Sequence, residues 1–143
     1  MTLNSIGVAD GVSGWNNYGV SSKDFSNELM QNCKDLIEKS ASLKKCVEDA
    51  FYKVKSGGSA AWILAKLDKF RLKIANLGDC GLMIIRYIHG NPKIIFQSET
   101  QEHSFNTPYQ LSRSLSKSQL EILKEKLNSD RFAEVTEQMK HVV

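Results

Sequence analysis

Nowhere in the 143 residues does an apolar run approach the roughly 18 residues of a bilayer-crossing helix, which excludes a helical membrane span. Cysteine is sparse as well. Cys33, Cys46 and Cys80 are odd in number, widely spaced and never in a CxxC pair, which excludes a disulfide framework and a structural zinc site. They read as reduced thiols of an intracellular compartment. Charge of one sign is lacking too. The net charge is +3, with Lys and Arg interleaved among Asp and Glu, so neither a nucleic-acid groove nor a basic membrane patch is indicated. The first ten residues, MTLNSIGVAD, have no basic region followed by an apolar core and so do not form a secretory signal. Internal repeats and low-complexity stretches are absent.

What is present is an ordinary globular composition, 41% hydrophobic and 24% charged, enough for one domain with a real core. Leu3, Ile6 and Val8 predict a strand over 3–9 that leads into a turn at Asp10-Gly11. Ser21 and Asp24 stand in capping-box spacing ahead of Phe25, Leu29, Cys33 and Leu36, an amphipathic helix. Leu43, Val47, Ala50, Phe51 and Val54 predict a second one. Four runs rich in strand formers follow: GSAAWILAKLD (58–68), FRLKIANL (70–77), CGLMIIRYI (80–88) and KIIFQS (93–98). Their short links predict an antiparallel meander, with Leu72, Ile74 and Asn76 alternating against Arg71, Lys73 and Ala75 as in a half-buried strand. Helices followed by consecutive strands indicate an α+β fold. In the tail, Leu120, Leu123 and Leu127, then Phe132, Val135 and Met139, predict two helical pieces over 116–141 separated at 128–130.

Two acidic turns carry the chemistry. In GVADGVSGW (7–15) a single carboxylate, Asp10, lies between an apolar run and glycines. It could make a turn, cap a helix or hold a hard cation, since Gly11 would let a backbone carbonyl approach the same ion. In ANLGDCG (75–81) Asp79 is again flanked by glycines, as in a hairpin turn. If the two strand ends met at one edge of a sheet, their carboxylates could serve a metal-activated water.

Four segments in order, GVADGVSGWNNYGVSSKDFSNELM, GSAAWILAKLD, LKIANLGDCGLMIIR and QEHSFNTPYQLS, closely resemble the PPM (PP2C-type) metal-dependent protein phosphatases, and especially their PTC7-like branch. The resemblance covers about residues 6–112. It implies a sandwich of two antiparallel β-sheets flanked by helices, incomplete in this chain. It also implies a phosphoprotein substrate, with phosphoserine or phosphothreonine hydrolysed by a water that two Mg²⁺ or Mn²⁺ ions activate. Asp10 matches the aspartate that bridges both metals, the position on which catalysis depends. Gly11 matches the glycine whose carbonyl contacts one metal, and Asp79 the aspartate of a more weakly held third one. The resemblance further implies a mitochondrial setting, although the chain shows no Arg-rich leader and as given is expected to stay in the cytosol.

Several positions depart from the family pattern. Ser13 replaces a glycine, Ala60 and Ala61 replace small hydroxyl residues, and Cys80 replaces a serine beside Asp79. Val12 stands where many PPM enzymes carry a histidine. His103 invites a catalytic role but reads first as a histidine fixed by loop hydrogen bonds. Ser104, Thr107 and Tyr109 could line a substrate-side loop, whereas His89 lies in a turn and His141 in the tail. The upstream acidic motif with its phosphate-binding arginine, and the later DG and DN aspartates, are not found in these residues. The chain therefore divides into a partial phosphatase domain (1–112) and a helical tail or insertion (113–143). Two dications about 4 Å apart repel by about 17 kcal/mol at an effective dielectric of about 20, more than Asp10 and Asp79 alone can offset. The chain on its own is thus expected to be inactive; the alternative is a non-catalytic module that binds a protein partner.

Overall fold

A computed structural model describes residues 2–130, 132 and 133. Strand β1 (Ser5–Gly11) is followed by a 3-10 helix (Ser13–Tyr18), α1 (Ser22–Leu36) and α2 (Leu43–Lys53). Then come β2 (Gly58–Asp68), β3 (Arg71–Leu77), β4 (Met83–Ile88), β5 (Asn91–Gln97), β6 (Glu102–Ser104), β7 (Thr107–Pro108), β8 (Leu111–Arg113) and α3 (Lys117–Lys126).

The main sheet is built on β2. Antiparallel β1 runs along one side of it, with Asp10 opposite Ala61 and Gly11 opposite Ala60. Along the other side lie β3, with Leu77 opposite Trp62, and β8, with Leu111 opposite Ala60. Because side chains alternate across a strand, each strand has an inner and an outer set. Ala9, Ala60, Trp62, Leu64, Ala75 and Leu77 form the inner set and pack on the helices. Those helices supply Phe25, Leu29, Cys33 and Ile37 from α1 and its end, and Leu43, Cys46, Val47 and Ala50 from α2.

The helix boundaries follow local chemistry. Ser21 caps α1 by accepting the Asp24 backbone N–H, and Ser42 caps α2 by accepting that of Lys45. Phe25, Leu29 and Cys33 repeat at four-residue steps and so share the buried face. Glu28 ties α1 to the entry of β2, accepting the backbone N–H groups of Lys55 (2.7 Å) and Ser56 (3.2 Å) and the Ser56 hydroxyl (2.6 Å).

Two expectations are corrected. The four runs do not make one meander: β2 pairs with β3 and β4 with β5, but β3 and β4 belong to different sheets. Gly78 is the cause. Its φ of +92° turns the chain out of the line of β3 before β4 begins. Second, Asp10 and Gly11 end β1 rather than forming a turn after it. Within the half-buried β3, Ala75 and Leu77 join the core under the helices, while Leu72 is exposed and Ile74 lies on the opposite face. The helices cover one side of β2, and register with Trp62 decides which set of β3 they meet.

On the outer side, Ile63 and Ala65 are buried but Ile6 and Val8 are 64% and 52% exposed. These residues, with Leu82 and Met83, line a cavity of about 320 Å³. The β4–β5 hairpin turns at His89-Gly90, both with positive φ as a two-residue type I′ turn requires, which accounts for His89. Ile85, Tyr87 and Ile94 of that hairpin are exposed. A second, smaller core joins Trp15, Leu115 and Leu123, with Val12, Tyr18, Val20 and Leu120 at its margin. The first tail helix is therefore seated on the segment that follows Asp10. Val135, Met139 and His141, and with them most of the second helical piece expected of the tail, lie outside the described residues.

Candidate active site

Topology brings the two acidic segments together. Strands β1 and β3 flank β2 and both run antiparallel to it, so both finish where β2 starts. Asp10 is at the end of β1 and Asp79 two residues past the end of β3, and both are exposed. Cys80 joins them. Burial pushes its thiol up, and the carboxylates of Asp79 and Asp10 push the same way, while the Asp10 backbone N–H opposes them. The two acidic segments thus belong to strands that finish at the same end of β2.

Close packing fixes the approach. Any Cβ on Gly11 would meet the Ser22 backbone, whose carbonyl carbon would lie 2.8 Å away, so the start of α1 presses directly on the residue after Asp10. A Cβ on Gly78 would collide with the Tyr109 carbonyl oxygen and come within 2.7 Å of the Ala61 Cβ. Ala61 is therefore small because the Asp79 turn folds down onto it. Ser13 is not among the residues with positive φ, so it takes the place of a glycine without strain.

Among the described residues no set of three or more His, Cys, Asp or Glu side chains is arranged to hold a metal ion. Asp10, the Gly11 carbonyl and Asp79 are hard oxygen donors of the kind Mg²⁺ and Mn²⁺ prefer, but they supply only part of a two-metal shell. His103 does not enter this group. It stands in β6 with its ring tilted at 46° against that of Tyr109, centroids 3.8 Å apart. Ser104 and Thr107 bond to each other within the same hairpin (3.1 Å).

Sequence reasoning missed a polar chain behind the site. The Trp15 indole N–H donates to the Ser59 hydroxyl (2.8 Å), which donates to Gln110 Oε1 (2.9 Å). The Ser59 carbonyl also accepts the Val12 N–H (2.9 Å). A tryptophan with a buried polar tip, and a buried serine within the apolar GSAAW, were the signals available, since such groups need partners.

No family model matches the chain. It is 36% identical over 125 residues to the Xenopus laevis protein named "Protein phosphatase PTC7 homolog", covering 78% of this chain and 40% of that protein. It is 42% identical over 111 residues to the Arabidopsis thaliana protein named "Probable protein phosphatase 2C 26", covering 75% of this chain and 36% of that one. Among solved structures it matches "X-ray structure of the photosystem II phosphatase PBCP" with a TM-score of 0.69 and 37% identity, covering 77% of this chain and 44% of the other. The chain spans about two-fifths of the length of these relatives. No helix among the described residues is long and apolar enough to cross a membrane.

Proposed function

We propose that this chain, whose sequence and fold are those of the PTC7-like, PP2C-type protein phosphatases over three quarters of its length, contributes part of a phosphatase catalytic centre. The substrate class is a phosphoprotein, hydrolysed at phosphoserine or phosphothreonine. One observation carries the reading: the segments that bear Asp10 and Asp79 come from strands on opposite sides of β2 that both finish towards the end where β2 starts.

In this reading Asp10, the Gly11 carbonyl and Asp79 would hold Mg²⁺ or Mn²⁺. Bound there, the metals would supply an activated water and neutralise phosphate charge. Gly11 and Gly78 do the positioning. Closure of Gly11 against Ser22 fixes where its carbonyl points, and Gly78 lets the Asp79 turn fold onto Ala61. Val12 brings no titratable group, so the proton for the leaving alkoxide comes from elsewhere. By itself the chain should turn over little phosphopeptide, because two carboxylates do not balance two dications.

The test is a phosphothreonine peptide with millimolar Mn²⁺, assayed on this chain and on a longer protein containing it. In the longer protein Asp10→Asn should abolish turnover without unfolding, and Asp79→Asn should cost less. Activity within about tenfold of the parent after Asp10→Asn sinks the assignment, since loss of a charged group in such a centre costs more than that. The second reading, a non-catalytic module, has the exposed outer residues Ile6 and Val8 in its favour. It predicts no Mn²⁺-dependent turnover in any length of chain.

A further inference from the structure

We infer that residues 99–111 form a brace that fixes the Asp10 and Asp79 segments relative to one another, with Gln110 as its positioning residue. The meaning of the brace for catalysis rests on the reading above; its existence does not.

At one end the brace is tied to the Asp79 side. The Asn76 side-chain amide donates to the Glu99 carbonyl (3.2 Å), and the Gln101 N–H donates to the Gly78 carbonyl (3.0 Å). The Tyr109 N–H closes the hairpin on the Gln101 carbonyl (3.1 Å), and the Tyr109 carbonyl lies against Gly78, which has no Cβ to push it away. At the other end Gln110 Oε1 accepts a hydrogen bond from the Ser59 hydroxyl, and Ser59 in turn holds Trp15 and Val12, the segment just after Asp10. Strand β8 then locks the exit through Leu111 opposite Ala60.

Ser59 is the reason that Gln110 matters. A hydroxyl has one proton, and this one goes to Gln110, which orients the oxygen to accept the Trp15 indole. Ser59 is buried, so water cannot readily replace the lost acceptor. Tyr109 and Gln110 are adjacent, so one holds the Asp79 turn while the next holds the Asp10 loop. Displacement at either end is passed through a single peptide unit.

The experiment is amide and indole hydrogen exchange on the ¹⁵N-labelled full chain, without metal or substrate. Gln110→Met keeps the length and removes the acceptor; Gln110→Glu keeps an acceptor oxygen. In Gln110→Met, exchange should quicken about tenfold at the Trp15 indole and Val12 N–H, and also at the distant Gln101 N–H. Gln110→Glu should leave all three near the parent, and the Cys46 N–H inside α2 should be unchanged in both. Asn76→Ala unhooks the opposite end and should quicken the Trp15 indole in its turn. The brace is refuted if Gln101 is unaffected by Gln110→Met, if Met and Glu behave alike, or if Asn76→Ala leaves the Trp15 indole unchanged. Should Gln110→Met fail to fold, the Asn76→Ala result decides. Because no turnover is measured, loss of the phosphatase reading would leave this test standing.

Discussion

The two faces of the main sheet are made from the same strands, yet they differ in kind. On the inner face Leu64 is fully buried, and Phe25, Leu29, Cys33 and Ala50 lock against it from two helices. On the outer face, one residue away along β1, Ile6 and Val8 face solvent and Asp10 ends the row. Stability is concentrated where the helices sit, and the proposed chemistry where they do not. An acid that must meet a charged ligand belongs on a face that water and ligand can reach, because burying an unpaired carboxylate is costly. The inner face supplies the rigidity that holds it.

The sharpest way to break this contrast is one truncation on each face. Phe25→Ala should cost about 3–5 kcal/mol, enough to unfold a marginal domain, whereas Val8→Ala should change stability by less than about 0.5 kcal/mol. Urea titrations followed by far-UV circular dichroism would measure both. Equal losses would mean that the outer face is covered after all. Next in size is the junction of the faces. Gly11→Ala forces a Cβ into the Ser22 backbone and should destabilise by about 1–3 kcal/mol, readable as a fall in Tm. A neutral result would mean that α1 does not press on the Asp10 segment.

The smallest effect concerns pH. Burial would raise the Glu28 carboxyl, but the Ser56 hydroxyl and the Lys55 and Ser56 N–H groups outweigh it and hold it below the usual range. A depressed carboxyl stabilises the fold above its unfolded-state pKa of about 4.3 and loses that contribution as pH falls through the lower folded value. Stability of the parent should therefore fall below that pH, and Glu28→Gln should flatten the slope while leaving the outer face untouched. Parallel pH curves for the two proteins would remove Glu28 as the clamp between α1 and β2.

Much of the inner face was legible in the sequence because it obeys local rules. The cap at Ser21 and apolar steps of three and four mark the helices, since those signals act within a turn of chain. Cys46 was not counted in the second helix by its apolar pattern, yet it is buried, with its thiol donating to the Cys33 carbonyl (3.5 Å). Strand pairing was less legible. The alternation in β3 named a half-buried strand but not which set meets the helices, because each set mixes apolar with polar residues; the one that joins the core holds Ala75 and Leu77. His103 was read as a histidine fixed by loop hydrogen bonds, whereas the contact its ring makes is the tilted one with Tyr109.

By itself the sequence determined strands β1 to β5 and helices α1 to α3, the two glycine-flanked acids and the likeness to PP2C-type phosphatases, all of which are local patterns or ordered strings of residues. Tertiary structure alone decided that β1 and β3 end together, that the Asp79 turn folds onto Ala61, and that Gln110 reaches Ser59 across 51 positions of chain. The physical reason is distance. Side-chain periodicity reports the neighbours a residue has within its own element, whereas strand order, a glycine's positive φ and the search of a buried hydroxyl for partners are settled only when remote segments pack.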